Sequence, residues 1–315
     1  MAARRSSWSR NSPEASSPSA PPNWRKKTGA SSRTPSFSLL YDTVRWEEKA
    51  IAAAAEKRGI GANLVDAKAL SIELGSKAEG LDELVLQRCV SHFRGLHSTA
   101  ALEAAGHRVV NTFSCASTCG NKVFVTLELA RHGIPTPRTK LALSEDSALQ
   151  TASAMGYPVV LKPAVGSWGR LAALLKDHDS ARAVIEHREE MFPLYQVYYL
   201  QELVRRPPRD IRSFVIGGRT VAAIYRISDG SDWRTNTARG GRAEACPVGK
   251  ELDELSVKAA EAVGGEVVGV DLMETDQGLV VHEVNGTTEF KNTVPATGID
   301  VPGLIVEYLA GAAKR

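Results

Sequence analysis

The sequence lacks a long apolar run: nowhere in its 315 residues do the roughly 18 to 20 consecutive apolar residues occur that a membrane-spanning helix needs. It also lacks the short apolar block of a secretory signal near the N-terminus. Hydrophobic residues still make up 43% of the chain, which is enough to bury a large core in two or three lobes. We therefore expect a globular, cytoplasmic protein that does not interact with membranes.

Cysteine is scarce as well, with four residues in the chain. Cys115 and Cys119 lie close together, but no second Cys or His pair follows at the spacing of a zinc site. We therefore expect reduced thiols rather than a structural metal.

Acidic residues are nearly absent from residues 1–36, where Glu14 stands against seven Arg and Lys. This segment carries a net charge of +6 and the whole chain +3, so the remainder is acidic by three charges, which argues against a nucleic-acid-binding surface. The segment also holds ten Ser and five Pro, so we expect a disordered tail. Its composition resembles a transit peptide without the amphipathic period; a flexible extension, or residues ahead of a true start near Phe37, is the favoured interpretation.

Strands and helices alternate from residue 37 onward, and the helices have the length of crossover connections. Such alternation is typical of a parallel sheet. The predicted strands are 37–41, 63–66, 84–89 and 108–110, and the predicted helices are 45–58 and 96–105. The pattern predicts an N-terminal α/β domain over residues 37–118.

Two further lobes are predicted. The central one, residues 119–195, has helices at 121–132 and 144–155 and two strands, 158–162 and 171–176, joined by a glycine-bearing loop that we interpret as a flap. The C-terminal one, residues 196–315, has strands at 196–202, on both sides of Gly217-Gly218, and at 266–274 and 278–284, with a helix at 251–263. We expect this last lobe to be an antiparallel sheet with helices on one side.

Three side chains with oxygen ligands fall on the last two strands. Asp271 ends one strand, while Glu283 and Asn285 lie two residues apart on the next and so share a face. Oxygen ligands of this kind suit Mg²⁺ that also binds phosphate and water. A solvated polar strand face is the alternative. By the same alternation, His282 should face away from Glu283.

Lysines and a loop provide possible phosphate ligands. Lys162 ends an apolar strand, where burying an ammonium is costly unless an anion meets it. Lys122 opens a helix, whose N-terminus itself favours an anion, although a surface lysine is the alternative there. The glycine-bearing loop 166–170 suits a lid over phosphates.

Arginine forks bind carboxylates and phosphates at two points, and Arg212 and Arg226 both lie on predicted strands of the C-terminal lobe. Surface salt bridging is the alternative, more so for Arg209. Asn236 is placed to hold a polar substrate group or an oxyanion. The sequence contains neither a P-loop nor a strand-anchored G-x-G-x-x-G, and no Ser/His/Asp order stands out.

Taken in order, these motifs resemble a known family. They are Asn121-Lys122, the strand and loop within 159–170, Gln201-Glu202, Asp210-Ile-Arg212, the segment 235–241, Asp271 and Glu283-Val-Asn285. Over about residues 37–313 the chain resembles the ATP-grasp ligases, and within them the ribosomal-protein-glutamate-ligase-like branch. The resemblance implies an α/β and α+β fold with a parallel N-terminal lobe and two α+β lobes that sandwich ATP.

The resemblance also implies roles for individual residues. Asp271, Glu283 and Asn285 would bind Mg²⁺ or Mn²⁺, and the implied catalytic residues are Arg212, Arg226 and Asn236. The implied nucleotide-binding residues, with 202–204 along the adenine edge, are Lys122, Lys162, Gly166, Ser167, Trp168, Gly169, Arg170, Gln201, Glu202, Leu203, Val204 and Asp210.

The implied reaction joins a carboxylate to an amine through an acyl phosphate. The substrates implied by the branch are 2-aminoadipate and the C-terminal glutamate of a small acidic carrier protein, LysW, in lysine biosynthesis. A glutamate ligase of arginine biosynthesis, or a bifunctional enzyme, remains open because one methylene separates the two amino acids. A non-catalytic ATP-binding regulator is the distant alternative. A homodimer or homotetramer is implied.

Overall fold

A computed structural model describes residues 36–166, 169–228 and 242–313, whose strands form three sheets. The first sheet contains β1 (Ser36–Tyr41), β2 (Gly61–Asp66), β3 (Leu84–Gln87) and β4 (Arg108–Val110) in the order β2-β1-β3-β4. All its strand pairs are parallel, as predicted. Helices α1 (Trp46–Lys57), α2 (His92–Ala104) and α3 (Phe113–Cys119) complete this part of the chain.

The second sheet follows α4 (Lys122–Arg131) and has the order β5-β8-β6-β7. Its elements are β5 (Thr139–Ala142), α5 (Glu145–Met155), β6 (Val159–Pro163), β7 (Ala173–Leu175), α6 (His178–Glu189), a short 3-10 helix (Pro193–Gln196) and β8 (Tyr198–Glu202).

The sheet to which β8 belongs differs from the prediction. We expected this strand to open the C-terminal lobe, but β8 pairs antiparallel with both β5 and β6. Tyr198 and Leu200 are fully buried against Leu161 and Ala148 of the central lobe, so their apolar surface holds the strand there. The central sheet therefore extends to Glu202.

The third sheet is antiparallel, as predicted, with the order β11-β10-β9-β12-β13. Its strands are β9 (Arg209–Ile216), β10 (Arg219–Ile227), β11 (Arg242–Ala245), β12 (Val267–Thr275) and β13 (Gly278–Asn285). The accompanying helices are α7 (Lys250–Ala262), α8 (Thr293–Thr297) and α9 (Val301–Ala312).

Helices cover both faces of this sheet, so the expectation of one covered side is wrong. Phe214 and Val215 are successive residues of β9, point to opposite faces, and are both buried. Phe214 packs in a core that contains Ile305 of α9, whereas Val215 packs in a core that contains Leu252 of α7. A strand with two apolar faces needs cover on both.

The N-terminal domain docks directly on the third sheet. The side-chain amide of Asn111 donates 2.7 Å hydrogen bonds to the carbonyls of Val267 and Gly286, and its oxygen accepts from the backbone of Glu266 and Val267. Every polar atom of this buried amide therefore bridges the two parts. Among the described residues, no helix combines the length and the apolar content that crossing a membrane requires.

Candidate active site

A pocket of about 320 Å³ opens where the three sheets meet. It brings together most of the predicted site residues, namely Lys122, Lys162, Gly166, Gly169, Arg170, Asp210, Arg212, Arg226, Asp271, Glu283 and Asn285. Ser167, Trp168 and Asn236 lie outside the described residues. Within the described ranges, Gln201, Glu202, Leu203 and Val204 are absent from the pocket lining. The carboxylate of Glu202 instead accepts a 2.8 Å hydrogen bond from the backbone of Arg138.

The three predicted metal-binding side chains do converge. Asp271 of β12 lies directly opposite Glu283 of β13, and the amide of Asn285 lies 3.4 Å from an oxygen of Asp271. No group of three or more His, Cys, Asp or Glu in the described part of the chain is arranged to hold a metal. The atom of Asn285 that faces Asp271 is the amide nitrogen Nδ2, which donates this contact.

A β-bulge in β13 changes the direction of one side chain. Asp271 pairs with Glu283 but Leu272 pairs with Val281, so His282 is an extra residue in the strand. His282 therefore lines the pocket together with Glu283 instead of facing away, which corrects the prediction from alternation. Both ring nitrogens are buried and have no hydrogen-bond partner among the residues that the structure describes. Burial, followed by the nearby Lys162, lowers the pKa of His282 to about 4.

Two arginines and two aspartates form a buried network beside the pocket. Arg212 donates two 2.7 Å hydrogen bonds to the two carboxylate oxygens of Asp271. Arg226 grips Asp210 in the same two-point manner, at 2.6 and 2.8 Å, and also lies 3.1 Å from Asp271. Burial alone would raise the pKa of Asp271, but the two guanidiniums hold it well below its usual range. These bonds occupy guanidinium edges that the sequence reasoning assigned to a substrate.

Lys122 contacts both Gly166 of the flap and the carboxylate of Glu283. Its Nζ donates a 2.6 Å hydrogen bond to the carbonyl of Gly166 and lies 3.5 Å from the carboxylate of Glu283. Burial and the neighbouring Asp271 act to raise the pKa of Glu283, but the ammonium of Lys122 contributes to holding it below its ordinary value. The positive charge of Lys122 therefore stabilises the ionised form of Glu283 beside the carboxylate of Asp271.

Lys162 lies deeper in the wall and has a neutral partner. Its Nζ donates a 2.7 Å hydrogen bond to Oε1 of Gln201. Burial lowers the pKa of Lys162 to about 8, and the positive charge of Lys122 contributes in the same direction. Gln201 thus reaches the site through Lys162 rather than by lining the pocket.

Sequence reasoning missed one wall of the pocket. Arg45, Gln87, His92 and Asn111 of the N-terminal domain line it, as does the stretch 286–289 that follows β13. Gln87, His92 and Asn111 lie at or just after the carboxyl ends of β3 and β4, the edge at which ligands bind open parallel sheets. That rule, applied to the predicted parallel lobe, would have found them.

The chain is similar in sequence to known proteins along most of its length. Residues 119–309 match the family model of the RimK-like ATP-grasp domain, and residues 37–118 match that of the LysX preATP-grasp domain. The chain is 39% identical over 276 residues to the alpha-aminoadipate–LysW ligase LysX of Saccharolobus solfataricus, covering 86% of this chain and 99% of that protein. It is 37% identical over 273 residues to the glutamate–LysW ligase ArgX of Sulfurisphaera tokodaii, covering 86% and 96%.

Solved structures show the same fold. The crystal structure of a RimK domain ATP-grasp protein from Sphaerobacter thermophilus superimposes with a TM-score of 0.70 at 25% identity. The match covers 87% of this chain and 99% of that one. The mixed α/β architecture expected from the sequence is thereby confirmed.

Proposed function

Because the chain belongs to the RimK-like ATP-grasp family, we propose that it joins the amino group of 2-aminoadipate to the C-terminal glutamate of the carrier protein LysW. The chain is an ATP-dependent ligase that forms a C–N bond and uses a divalent metal. The observation that carries the proposal is the 39% identity to an alpha-aminoadipate–LysW ligase over 99% of that relative's length. We propose that the ligase acts in lysine biosynthesis in the cytoplasm.

The proposed reaction has two steps. A carboxylate oxygen of the carrier's glutamate side chain attacks the γ-phosphorus of ATP, so that an acyl phosphate forms and ADP leaves. The amine nitrogen of 2-aminoadipate then attacks the acyl carbon, the C–O bond to phosphate breaks, and the amine loses a proton. Water must stay outside, because it would hydrolyse the acyl phosphate.

In this proposal Lys122 and Lys162 bind the phosphates of ATP. Gln201 holds Lys162 in the wall of the pocket, where burial lowers the pKa of the lysine. A bound anion would stabilise the charged form of a lysine buried in this way. Lys122 donates a hydrogen bond to the carbonyl of Gly166 in the flap, so its ammonium can contact the flap and a bound phosphate at the same time. The loop 166–170 would exclude water and 202–204 would border the adenine.

Asp271, Glu283 and Asn285 would hold the metal, for which we propose Mg²⁺ rather than Mn²⁺. The donor set supports this: two adjacent carboxylates, of which Asp271 acts to raise the pKa of Glu283, and the amide of Asn285, whose Nδ2 lies 3.4 Å from Asp271 and whose oxygen would be the third ligand. When bound, the cation would neutralise charge on the phosphates.

Arg226 and Asp210 would orient Asp271, while Arg212 has a further nitrogen, Nη1, for a substrate or phosphate oxygen. Asn236 would bind the developing negative charge.

Glutamate is the second candidate substrate. The observation that favours it is the 37% identity to a glutamate–LysW ligase, close to the value for the aminoadipate ligase. ADP release is to be measured with the carrier and each amino acid in parallel, and with each component omitted. We expect release with carrier and 2-aminoadipate together and a lower kcat/KM with glutamate. Equal turnover of the amino acid without the carrier would overturn the proposal, and so would a clear preference for glutamate.

A further inference from the structure

The pocket wall contributed by the N-terminal domain contains an arginine that is firmly held along one edge. Arg45 precedes α1 and lines the pocket. Its Nε and Nη2 atoms lie 3.1 and 2.7 Å from the two carboxylate oxygens of Glu48. Glu48 is itself 3% exposed and also bonded to the buried Arg88 at 3.2 Å. The position of the Arg45 guanidinium is therefore fixed by a buried pair behind it.

The other edge of the same guanidinium faces a much looser partner. Its Nη1 atom lies 3.4 Å from a carboxylate oxygen of Glu289, whose side chain is 41% exposed. A long contact to an exposed side chain is weak, because water and salt screen it and the side chain keeps its rotamer freedom. Glu289 also lines the pocket. A carboxylate thus already occupies this edge, and only weakly.

The backbone that carries Glu289 is anchored, so its side chain can leave without moving the wall. Arg88 donates a 3.0 Å hydrogen bond to the carbonyl of Thr288. A carboxylate oxygen of Glu47 accepts hydrogen bonds from the backbone nitrogens of Phe290 and Lys291, at 3.2 and 3.0 Å. The guanidinium and the loop backbone are therefore preorganised, and the Glu289 carboxylate is the exchangeable part.

We propose that Arg45 binds a carboxylate of an acidic substrate, which replaces the carboxylate of Glu289. The inference rests on the proposed function, in which both the free amino acid and the C-terminus of the carrier bring carboxylates into the pocket. Arginine suits this task because it remains charged and offers several N–H groups in one plane. In the C-terminal lobe, Arg212 and Arg226 already bind Asp271 and Asp210. Arg45 belongs to the N-terminal domain, so it supplies a carboxylate site separate from the proposed phosphate-binding side chains.

Two variants with opposite expected effects test this. Arg45→Gln should raise the KM of the bound substrate by about 10- to 100-fold, because a charge-assisted contact is lost. Glu289→Gln should lower the same KM severalfold, because the internal competitor loses its charge. Arg58→Gln is the matched control: Arg58 caps the other end of α1, also bridges two carboxylates, Asp300 and Glu307, and does not line the pocket. Its KM values should equal those of the wild type.

Separate assays distinguish the two sources of the carboxylate. Hydroxylamine traps the acyl phosphate from carrier and ATP without any amino acid, so this assay gives the KM of the carrier alone. A changed amino-acid KM with unchanged trapping assigns Arg45 to the free amino acid, and a changed carrier KM in trapping assigns it to the carrier. Wild-type protein that forms no hydroxamate with carrier and ATP would instead contradict the proposed function.

The fold is monitored by thermal unfolding, since Arg45 also bonds Glu48 at the start of α1. If Arg45→Gln does not fold, Glu289→Gln decides the question, because Glu289 is exposed and its loss leaves Glu48 and Arg88 paired. Unchanged KM values for both substrates in Glu289→Gln, or in a folded Arg45→Gln, would overturn the proposal.

Discussion

The Oε1 atom of Gln201 accepts a 2.7 Å hydrogen bond from Nζ of Lys162. Gln201 is buried, and its Nε2 donates to the hydroxyls of Thr139 and Tyr199. Because the Lys162 ammonium can only donate, the amide oxygen must be the atom that faces it. The hydrogen bond to this neutral amide fixes the direction of the Lys162 side chain without balancing its positive charge. This arrangement leaves its charge for a ligand in the pocket.

Binding of ATP should be coupled to proton uptake. The pKa of Lys162 is about 8 in the free protein, so roughly half of the lysines are neutral at pH 8. A bound phosphate favours the charged form and raises the pKa, so binding should take up about half a proton at pH 8 and much less at pH 6.5. Affinity should weaken as the pH rises above 8. Calorimetry in buffers of different ionisation enthalpy measures the uptake.

Lys162→Met should abolish this uptake and weaken ATP binding, whereas Lys140→Met, at an exposed position on strand β5 of the same sheet, should leave both as in the wild type. Uptake that persists in Lys162→Met would mean that another group titrates.

The buried arginine network should be costly to break. Arg226 is 4% exposed and pairs with Asp210 and Asp271, which are equally buried. Arg226→Met leaves two buried carboxylates without this cation, so we expect a loss of about 3–5 kcal/mol in the free energy of unfolding. Arg182→Met removes the exposed pair with Glu186 and should cost about 1 kcal/mol or less. Urea denaturation measures both, and equal small losses would refute the network's role.

His282 should be replaceable without loss of stability. Its two nitrogens are buried without a hydrogen-bond partner in the described part of the chain, and its pKa of about 4 keeps it neutral near pH 7. His282→Phe therefore removes two unsatisfied groups, and we expect an unchanged or higher free energy of unfolding, by up to about 1 kcal/mol. His107→Phe also removes one buried nitrogen without a partner among the described residues, Nε2, but it breaks the 2.9 Å hydrogen bond of Nδ1 to the carbonyl of Asp82, so it should destabilise by about 1–2 kcal/mol. Thermal unfolding without ligand compares them; a large loss for His282→Phe would contradict this account.

Glu283→Gln should separate activity from folding. The charge lost is that of a proposed metal ligand, so we expect ATP-dependent ligation to fall on the order of a hundredfold or more. Its partner Lys122 is partly exposed, so the thermal midpoint should change little. Glu274→Gln, at the far end of β12 and paired with Arg209, serves as the control with normal turnover. Full activity of Glu283→Gln would disprove the metal assignment.

Much of this site could be predicted from local sequence. The alternation on β12 and β13 placed Asp271, Glu283 and Asn285 on one side, and an isolated lysine at the end of an apolar strand marked Lys162. The first signal depends on the two-residue period of a strand, and the second depends on the cost of burying an ammonium that has no anion beside it. The parallel N-terminal sheet followed from alternating strands and helices in the same way.

Features that depend on distant partners could not be predicted. The bulge at His282 carries no glycine or proline to mark it, and it arises from the pairing of β13 with β12. Arg212 and Asp271 are 59 residues apart, so their two-point contact is visible only after β9 and β12 pair. The transfer of β8 to the central sheet likewise reflects burial of Tyr198 and Leu200 against α5 and β6.

The most direct test of the central claim is the intact mass of the carrier protein after incubation with enzyme, ATP, Mg²⁺ and 2-aminoadipate, followed by fragmentation to locate the change. The account predicts a gain of one aminoadipate residue on the side-chain carboxylate of the C-terminal glutamate, with stoichiometric release of ADP. An unmodified carrier alongside ADP release and a ligated small molecule would contradict it.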